Sequence, residues 1–166
     1  MNNIVLTGMP GAGKSTIGVL LAKVLGYKFI DADILIQDSQ KLLLREIIAK
    51  YGDEGFLQIE NDINKGISDE NIVIATGGSC VYCTEAMEKY MEEDTVIYIN
   101  LPYEEIARRL GNIKRRGVVL KEGQTLKELY DERTRLYEKY CHINVDARGL
   151  DIEGLLDKIA DAIKNR

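Results

Sequence analysis

Short runs of consecutive apolar residues alternate with stretches in which apolar residues return every three or four positions, along the whole chain. The runs predict buried strands and the spaced stretches amphipathic helices. Residues 3–6 form the first run. Ile17, Leu20, Leu21 and Val24 then follow at helical spacing, and Gly26 ends that helix. Residues 28–30 predict a second strand ending at Asp31. Helical spacing returns over about 34–51 and 54–67, on either side of Gly52. Residues 71–75 predict a third strand, ending in Thr76-Gly77-Gly78, and 84–91 a helix. Residues 95–99 predict a fourth strand, and 103–110 a helix with Pro102 near its start. Residues 111–125 hold Gly, Arg and Lys without periodicity and predict an exposed loop. Thr125 is placed to cap a helix over 126–140. Residues 142–145 predict a fifth strand, and Ile152, Leu155, Leu156, Ile159 and Ile163 a final amphipathic helix.

This alternation predicts an α/β fold of three layers, a parallel sheet with helices on both faces, as a single domain over 1–166. Ligands bind such sheets beyond the carboxyl ends of the strands. Five places follow: residues 8–15, 31–33, 76–79, the loop 111–125, and 146–148.

The first of these carries the strongest chemistry. Gly8-Met9-Pro10-Gly11-Ala12-Gly13-Lys14-Ser15 fits the phosphate-loop pattern G-x-x-x-x-G-K-S/T, between a strand and a helix as the motif requires. Its glycines let backbone N–H groups converge on phosphate oxygens, and the helix N-terminus adds positive potential. Lys14 supplies a mobile charge for the β- and γ-phosphates and Ser15 a hydroxyl for Mg²⁺. ATP with Mg²⁺ is the expected donor.

Composition narrows the setting. With 166 residues, 45% hydrophobic and 30% charged, the chain is long enough for one domain with a real core. A net charge of −5 disfavours nucleic acid as a partner. No apolar run reaches membrane-spanning length, and a strand so near the N-terminus leaves no room for a signal peptide, so a cytoplasmic protein off the membrane is expected. Cys80 and Cys83 form a C-x-x-C, but a zinc site needs a second ligand pair, and only Cys141 and His142 remain. Reduced thiols are the simpler reading.

Asp31 and Asp33 end the second strand, and alternate residues of an extended chain point to different sides. One carboxylate would face Mg²⁺ and the other an acceptor hydroxyl, whose proton it would take. The same two residues also read as a helix N-cap and a first-turn acid. Gly77 and Gly78 would let backbone approach a ligand. Arg108, Arg109, Lys114, Arg115 and Arg116 concentrate positive charge in an acidic chain. Arg109 and Arg116 are expected to close over ATP, with Lys114 and Arg115 in solvent. Arg133 and Arg135 cannot share a helix face, so one is expected in the site and the other outside. His142 reads as structural.

In this order the motifs resemble the shikimate kinase family, small phosphate-loop kinases related to the nucleoside monophosphate kinases. The resemblance runs over nearly the whole chain. It implies a five-stranded parallel sheet of order 2-3-1-4-5, a substrate-binding helical segment at about 33–61, a lid at about 111–125, and a monomer. The loop from Gly8 to Thr16 fits fully. Phe29-Ile30-Asp31-Ala32-Asp33 is similar to the family's F-x-D-x-D, which implies Asp31 in the Mg²⁺ shell and Asp33 as base and acceptor contact. Gly52–Phe56 is similar to G-E-x-x-F-R. Arg109 would lie against adenine, Arg116 would be the lid arginine, and Asp146-Ala147-Arg148 would flank the adenine. Arg133, before Leu136-Tyr137, matches R-x-x-L-Y and implies a contact to the acceptor carboxylate, with Gly77, Gly78 and Ser79 lining the acceptor.

Three positions depart from the family. Leu57 stands where it has arginine, Ser79 replaces the third glycine, and Arg116-Gly117-Val118 replaces R-P-L. A lost charge-assisted bond at Leu57 would weaken carboxylate binding by roughly ten- to a hundredfold. Shikimate, to give shikimate 3-phosphate, is the first acceptor implied, with Arg45, Arg135 or a lysine compensating. A nucleoside monophosphate, a sugar acid, or nucleotide binding without transfer remain the other readings.

Overall fold

The computed structural model describes residues 3–111 and 121–166. Strands β1 (Ile4–Thr7), β2 (Lys28–Asp31), β3 (Ile72–Ala75), β4 (Thr95–Asn100) and β5 (Ile143–Asp146) form one parallel sheet in the order β2-β3-β1-β4-β5, as expected. The α-helices among the described residues are α1 (Lys14–Leu25), α2 (Ala32–Gln40), α3 (Leu44–Lys65), α4 (Thr84–Glu93), α5 (Tyr103–Leu110), α6 (Leu126–Lys139) and α7 (Ile152–Lys164). Leu6 pairs with Ala75 on one side and Ile97 on the other, so β1 is fully flanked and every residue in it is buried. That double burial is why the central strands read as unbroken apolar runs. Strand order reverses at β1, and the crevice this opens beyond its carboxyl end is where the phosphate loop begins.

The helical segment after β2 differs from the sequence expectation. The helix expected over 34–51 is two helices. Lys41 takes a left-handed conformation (φ 55), and α3 restarts at Leu44, with the Leu43 N–H bonded to Glu46 Oε2 at 2.7 Å. Leu42, Leu43 and Leu44 carry apolar residues straight through the break, so hydrophobic spacing alone did not mark it. Gly52 interrupts α3 as predicted, at φ 72 and ψ 177. Ile36, Ile47 and Phe56 then form a small core of their own between α2 and α3, separate from the core under the sheet.

A single 3-10 turn at Cys80–Tyr82, which periodicity is too short to reveal, links Ser79 to α4. Cys80 and Cys83 are buried free thiols, and the Cys83 contact together with burial pushes the Cys80 thiol well above its ordinary value. His142 exchanges hydrogen bonds with Val96 through its backbone N–H (2.8 Å) and ring Nδ1 (3.1 Å), a structural role. Thr125 caps α6 by accepting from the Glu128 N–H. Among the described residues no helix is long and apolar enough to cross a membrane.

Candidate active site

The phosphate loop leaves β1 through Gly8, at φ 147, where an added Cβ would come within 2.8 Å of the Ile99 carbonyl oxygen. Only glycine fits both that conformation and that approach. The loop is closed by an Ala12 N–H to Met9 carbonyl bond of 3.1 Å, and α1 begins at Lys14, so its unpaired N–H groups face the loop interior. Lys14 is buried and folds back, donating to the carbonyls of Gly8 (2.7 Å) and Met9 (2.8 Å). Burial lowers its ammonium to about 8, against the pull of the Asp33 charge. Arg109 lies across the outside of the loop, with Nη1 on the Gly11 carbonyl at 3.1 Å and Nε on Glu105 at 2.9 Å.

At the end of β2, the aspartate pair includes the expected helix N-cap. Asp31 Oδ1 caps α2 by accepting from the N–H groups of Asp33 (3.0 Å) and Ile34 (3.4 Å). Its Oδ2 accepts from Ser15 Oγ at 2.7 Å, which ties the strand end to the phosphate loop. Asp33 turns the other way into the cavity, half-buried, and burial followed by the Asp31 charge pushes its carboxyl up to about 6.

The cavity between these groups measures about 280 Å³. Pro10, Gly11, Gly13, Lys14, Ser15 and Thr16 line it from the phosphate loop, and Asp33, Gly77, Gly78, Ser79 and Arg133 from the ends of β2 and β3 and from α6, with Leu44 and Phe56 beyond. The two glycines after β3 are there because of crowding. A Cβ on Gly77 would meet Asp33 Oδ1 at 2.6 Å and Glu60 Oε1 at 2.8 Å, and one on Gly78 would meet Pro10 Cδ at 2.6 Å. Tyr137, stacked on Tyr98 with ring centres 5.1 Å apart, donates its hydroxyl to the Gly78 carbonyl at 2.6 Å. Tyr137→Phe is expected to lower unfolding free energy in urea by about 1–3 kcal/mol, because that carbonyl loses a buried donor.

Arg133 is buried, with its guanidinium carbon 5.3 Å from the Tyr82 ring centre, whereas Arg135 faces solvent, the division that helix geometry required. Arg45 is exposed as well, and neither it nor Arg135 lines the cavity as a replacement for the missing arginine. Leu57 is half-buried against the small core of Ile36, Ile47 and Phe56. Gly8 and Ala12, expected to hold the nucleotide, are not among the residues lining the cavity. Arg148 follows β5 at the same edge of the sheet but is held on Asp146, with Nη2 to Oδ2 at 2.8 Å, and does not line the cavity. Arg116 lies outside the described residues.

The main omission of the sequence reading is Glu60. It is fully buried on α3, its Oε2 is hydrogen-bonded to Ser79 Oγ at 2.6 Å, and burial pushes its carboxyl up to about 8. Its signal was a pair of polar residues at helical spacing behind an apolar one: Phe56, Glu60 and Asn64 share a face of α3, and all three are buried. Together these groups supply an anion-binding loop, a carboxylate aimed at the same space, and a buried cation on the far wall, the components of phosphoryl transfer.

Comparison with known proteins gives a consistent result. A family model described as "Shikimate kinase" matches residues 10–164. A shikimate kinase of Clostridium botulinum is 36% identical over 165 residues, covering 99% of this chain and 98% of that protein. One from Persephonella marina is 31% identical, covering 99% of this chain and all of that protein. The structure of shikimate kinase from Acinetobacter baumannii in complex with shikimate superposes with a TM-score of 0.92 at 30% identity, covering 99% of this chain and 94% of that one.

Proposed function

The chain belongs to the shikimate kinase family, and on that premise we propose that it transfers the γ-phosphoryl group of ATP to a hydroxyl of shikimate, giving shikimate 3-phosphate and ADP. The observation that carries the assignment of roles is Asp33, a carboxylate of raised basicity in one cavity with Lys14 and Arg133.

In this reading the glycine loop and the N-terminus of α1 hold the triphosphate. Lys14 exchanges its loop carbonyls for phosphate oxygens and, with Arg116, offsets the charge of the transferring group. Asp33 accepts the acceptor's hydroxyl proton and keeps the oxygen in line with the phosphorus. Arg133 holds the acceptor carboxylate at the opposite wall. Arg109 and Arg148 bracket the base, the helical segment at about 33–61 takes the acceptor, and the lid role is assigned to the loop 111–125, of which 112–120 lie outside the described residues.

The bonded pair Ser15–Asp31, a hydroxyl and a carboxylate beside the phosphate loop, is a hard oxygen donor set that suits Mg²⁺. The ion would neutralise charge on the triphosphate when bound there. Asp31→Asn tests this. Asparagine caps a helix as well as aspartate does, so stability should change little. The Mg²⁺ concentration for half-maximal activity should rise by about ten- to a hundredfold. Unchanged Mg²⁺ dependence removes Asp31 from the shell. Three unpaired thiols support a cytoplasmic setting.

The test of the acceptor is ADP release with shikimate beside a panel of hydroxy acids, sugar acids and nucleoside monophosphates. Saturable turnover with shikimate, at a KM in the ordinary range of about 1 μM to 1 mM, is expected. Turnover confined to another member of the panel overturns the reading.

A further inference from the structure

The resemblance places Ser79 along the acceptor, but the roles above give its hydroxyl no task. Ser79 lines the cavity between Gly78 and the 3-10 turn, nearly buried, with its Oγ 2.6 Å from Glu60 Oε2. Ser79 has an ordinary right-handed backbone (φ −87, ψ −8), so a side chain is tolerated here although Gly77 and Gly78 next to it have no room for one. A hydroxyl can donate once and accept twice, and Glu60 uses part of that capacity. Ser79 lines the cavity, so the remainder is open to a ligand there.

Glu60 decides which part remains. It is fully buried, and its Oε1 has no hydrogen-bond partner among the described residues; it lies against Gly77 on the side that Asp33 Oδ1 also faces. The charged groups around it are Asp33 at the start of α2, Lys14 at the start of α1 and Arg133 on α6. A neutral Glu60 can donate its own proton to Ser79 Oγ, and Ser79 then turns its O–H toward the cavity. An ionised Glu60 draws that O–H to itself and leaves only lone pairs facing the acceptor. Leu57, packed away in the small core, contributes no donor to this wall.

We propose that the Ser79 hydroxyl, oriented by Glu60, is a specificity-determining contact that donates a hydrogen bond to an oxygen of the bound acceptor. Ser79 touches the acceptor and Glu60 is a positioning residue acting through it. The proposal rests on the reading that this cavity takes shikimate, and it adds a recognition element on the wall where Leu57 offers none. Burial places the Glu60 transition at about 8, so the donor is present at neutral pH and is withdrawn above it. The same ionisation adds a negative charge beside the acceptor carboxylate, which works in the same direction.

The experiment is steady-state kinetics at saturating ATP, which keeps the Lys14 ammonium paired with phosphate, with acceptor KM measured at neutral and alkaline pH. Ser79→Ala is expected to raise acceptor KM by about three- to tenfold at neutral pH, the weight of one neutral hydrogen bond, while the KM for ATP stays in place. In the wild-type protein acceptor KM should climb as pH passes through about 8. Glu60→Gln keeps an N–H donor for Ser79 but cannot ionise, so the climb should disappear, a change that loss of packing alone does not produce. An Ser79→Ala variant whose acceptor KM is unmoved overturns the proposal, as does a Glu60→Gln variant that retains the climb. If the wild-type protein ignores shikimate but turns over another acceptor of the panel, the parent reading fails, and the Ser79 and Glu60 comparisons are decided on that acceptor by the same outcomes.

Discussion

Asp33→Asn is expected to lower kcat with shikimate by about 10²- to 10⁴-fold, the usual weight of a positioned general base. The substitution keeps shape and a hydrogen-bonding oxygen but removes the proton acceptor. Asp33 is suited to the task because two effects raise its basicity together: partial burial, and the nearby Asp31 carboxylate, which is occupied with the α2 N-cap and Ser15. Lys14 opposes them and keeps the carboxyl within reach of ionisation at neutral pH, at about 6. Asparagine should still let ATP bind, because Asp33 makes no hydrogen bond to the phosphate loop in the described residues. Calorimetric ATP binding beside kcat therefore separates loss of transfer from loss of the donor site. Wild-type turnover in the asparagine variant would remove Asp33 as the base.

Gly78→Ala is expected to cost about 10²-fold in kcat/KM, and about 1–3 kcal/mol of stability from overpacking. The new methyl would sit 2.6 Å from Pro10 Cδ and 3.0 Å from Arg133 Nη1. The Pro10 ring belongs to the phosphate loop and cannot rotate aside, and the Gly78 carbonyl is pinned by Tyr137. The strain must therefore separate the donor and acceptor walls, and a displacement of about 1 Å is enough for a loss of this size. Urea unfolding beside kinetics checks both parts. Ser79→Ala one residue on is the contrast, since position 79 already carries a Cβ.

The sheet was legible because its strands are short apolar runs with turn residues at their carboxyl ends, and each predicted strand lies within a residue or two of the observed one. The break near Lys41 was not legible, because three consecutive leucines satisfy helical spacing on both sides of it. Asp31, Asp33, Lys14 and Ser15 were found through local pattern alone. Their division of labour was left open by the residues themselves: alternation placed the two carboxylates on different sides without saying which side faced the phosphate loop. The Ser15–Asp31 bond answers that. Arg133 and Arg135 could be divided by helix geometry into one inside and one outside, and burial identifies Arg133 as the inner one.

Glu60 marks the boundary most clearly. From its sequence neighbours it is a glutamate on a long amphipathic helix. It becomes part of the site because α3 packs against the 3-10 turn that follows β3, bringing it to a serine nineteen positions further along the chain. The donor side was readable from local pattern, because the phosphate loop is a contiguous segment whose backbone conformation, charge and hydroxyl are all written within eight residues. The acceptor wall is assembled from α2, α3, the β3 end and α6, elements far apart in the chain. Which of their polar side chains meet, and which are driven neutral by burial, depends on long-range packing that no local spacing encodes.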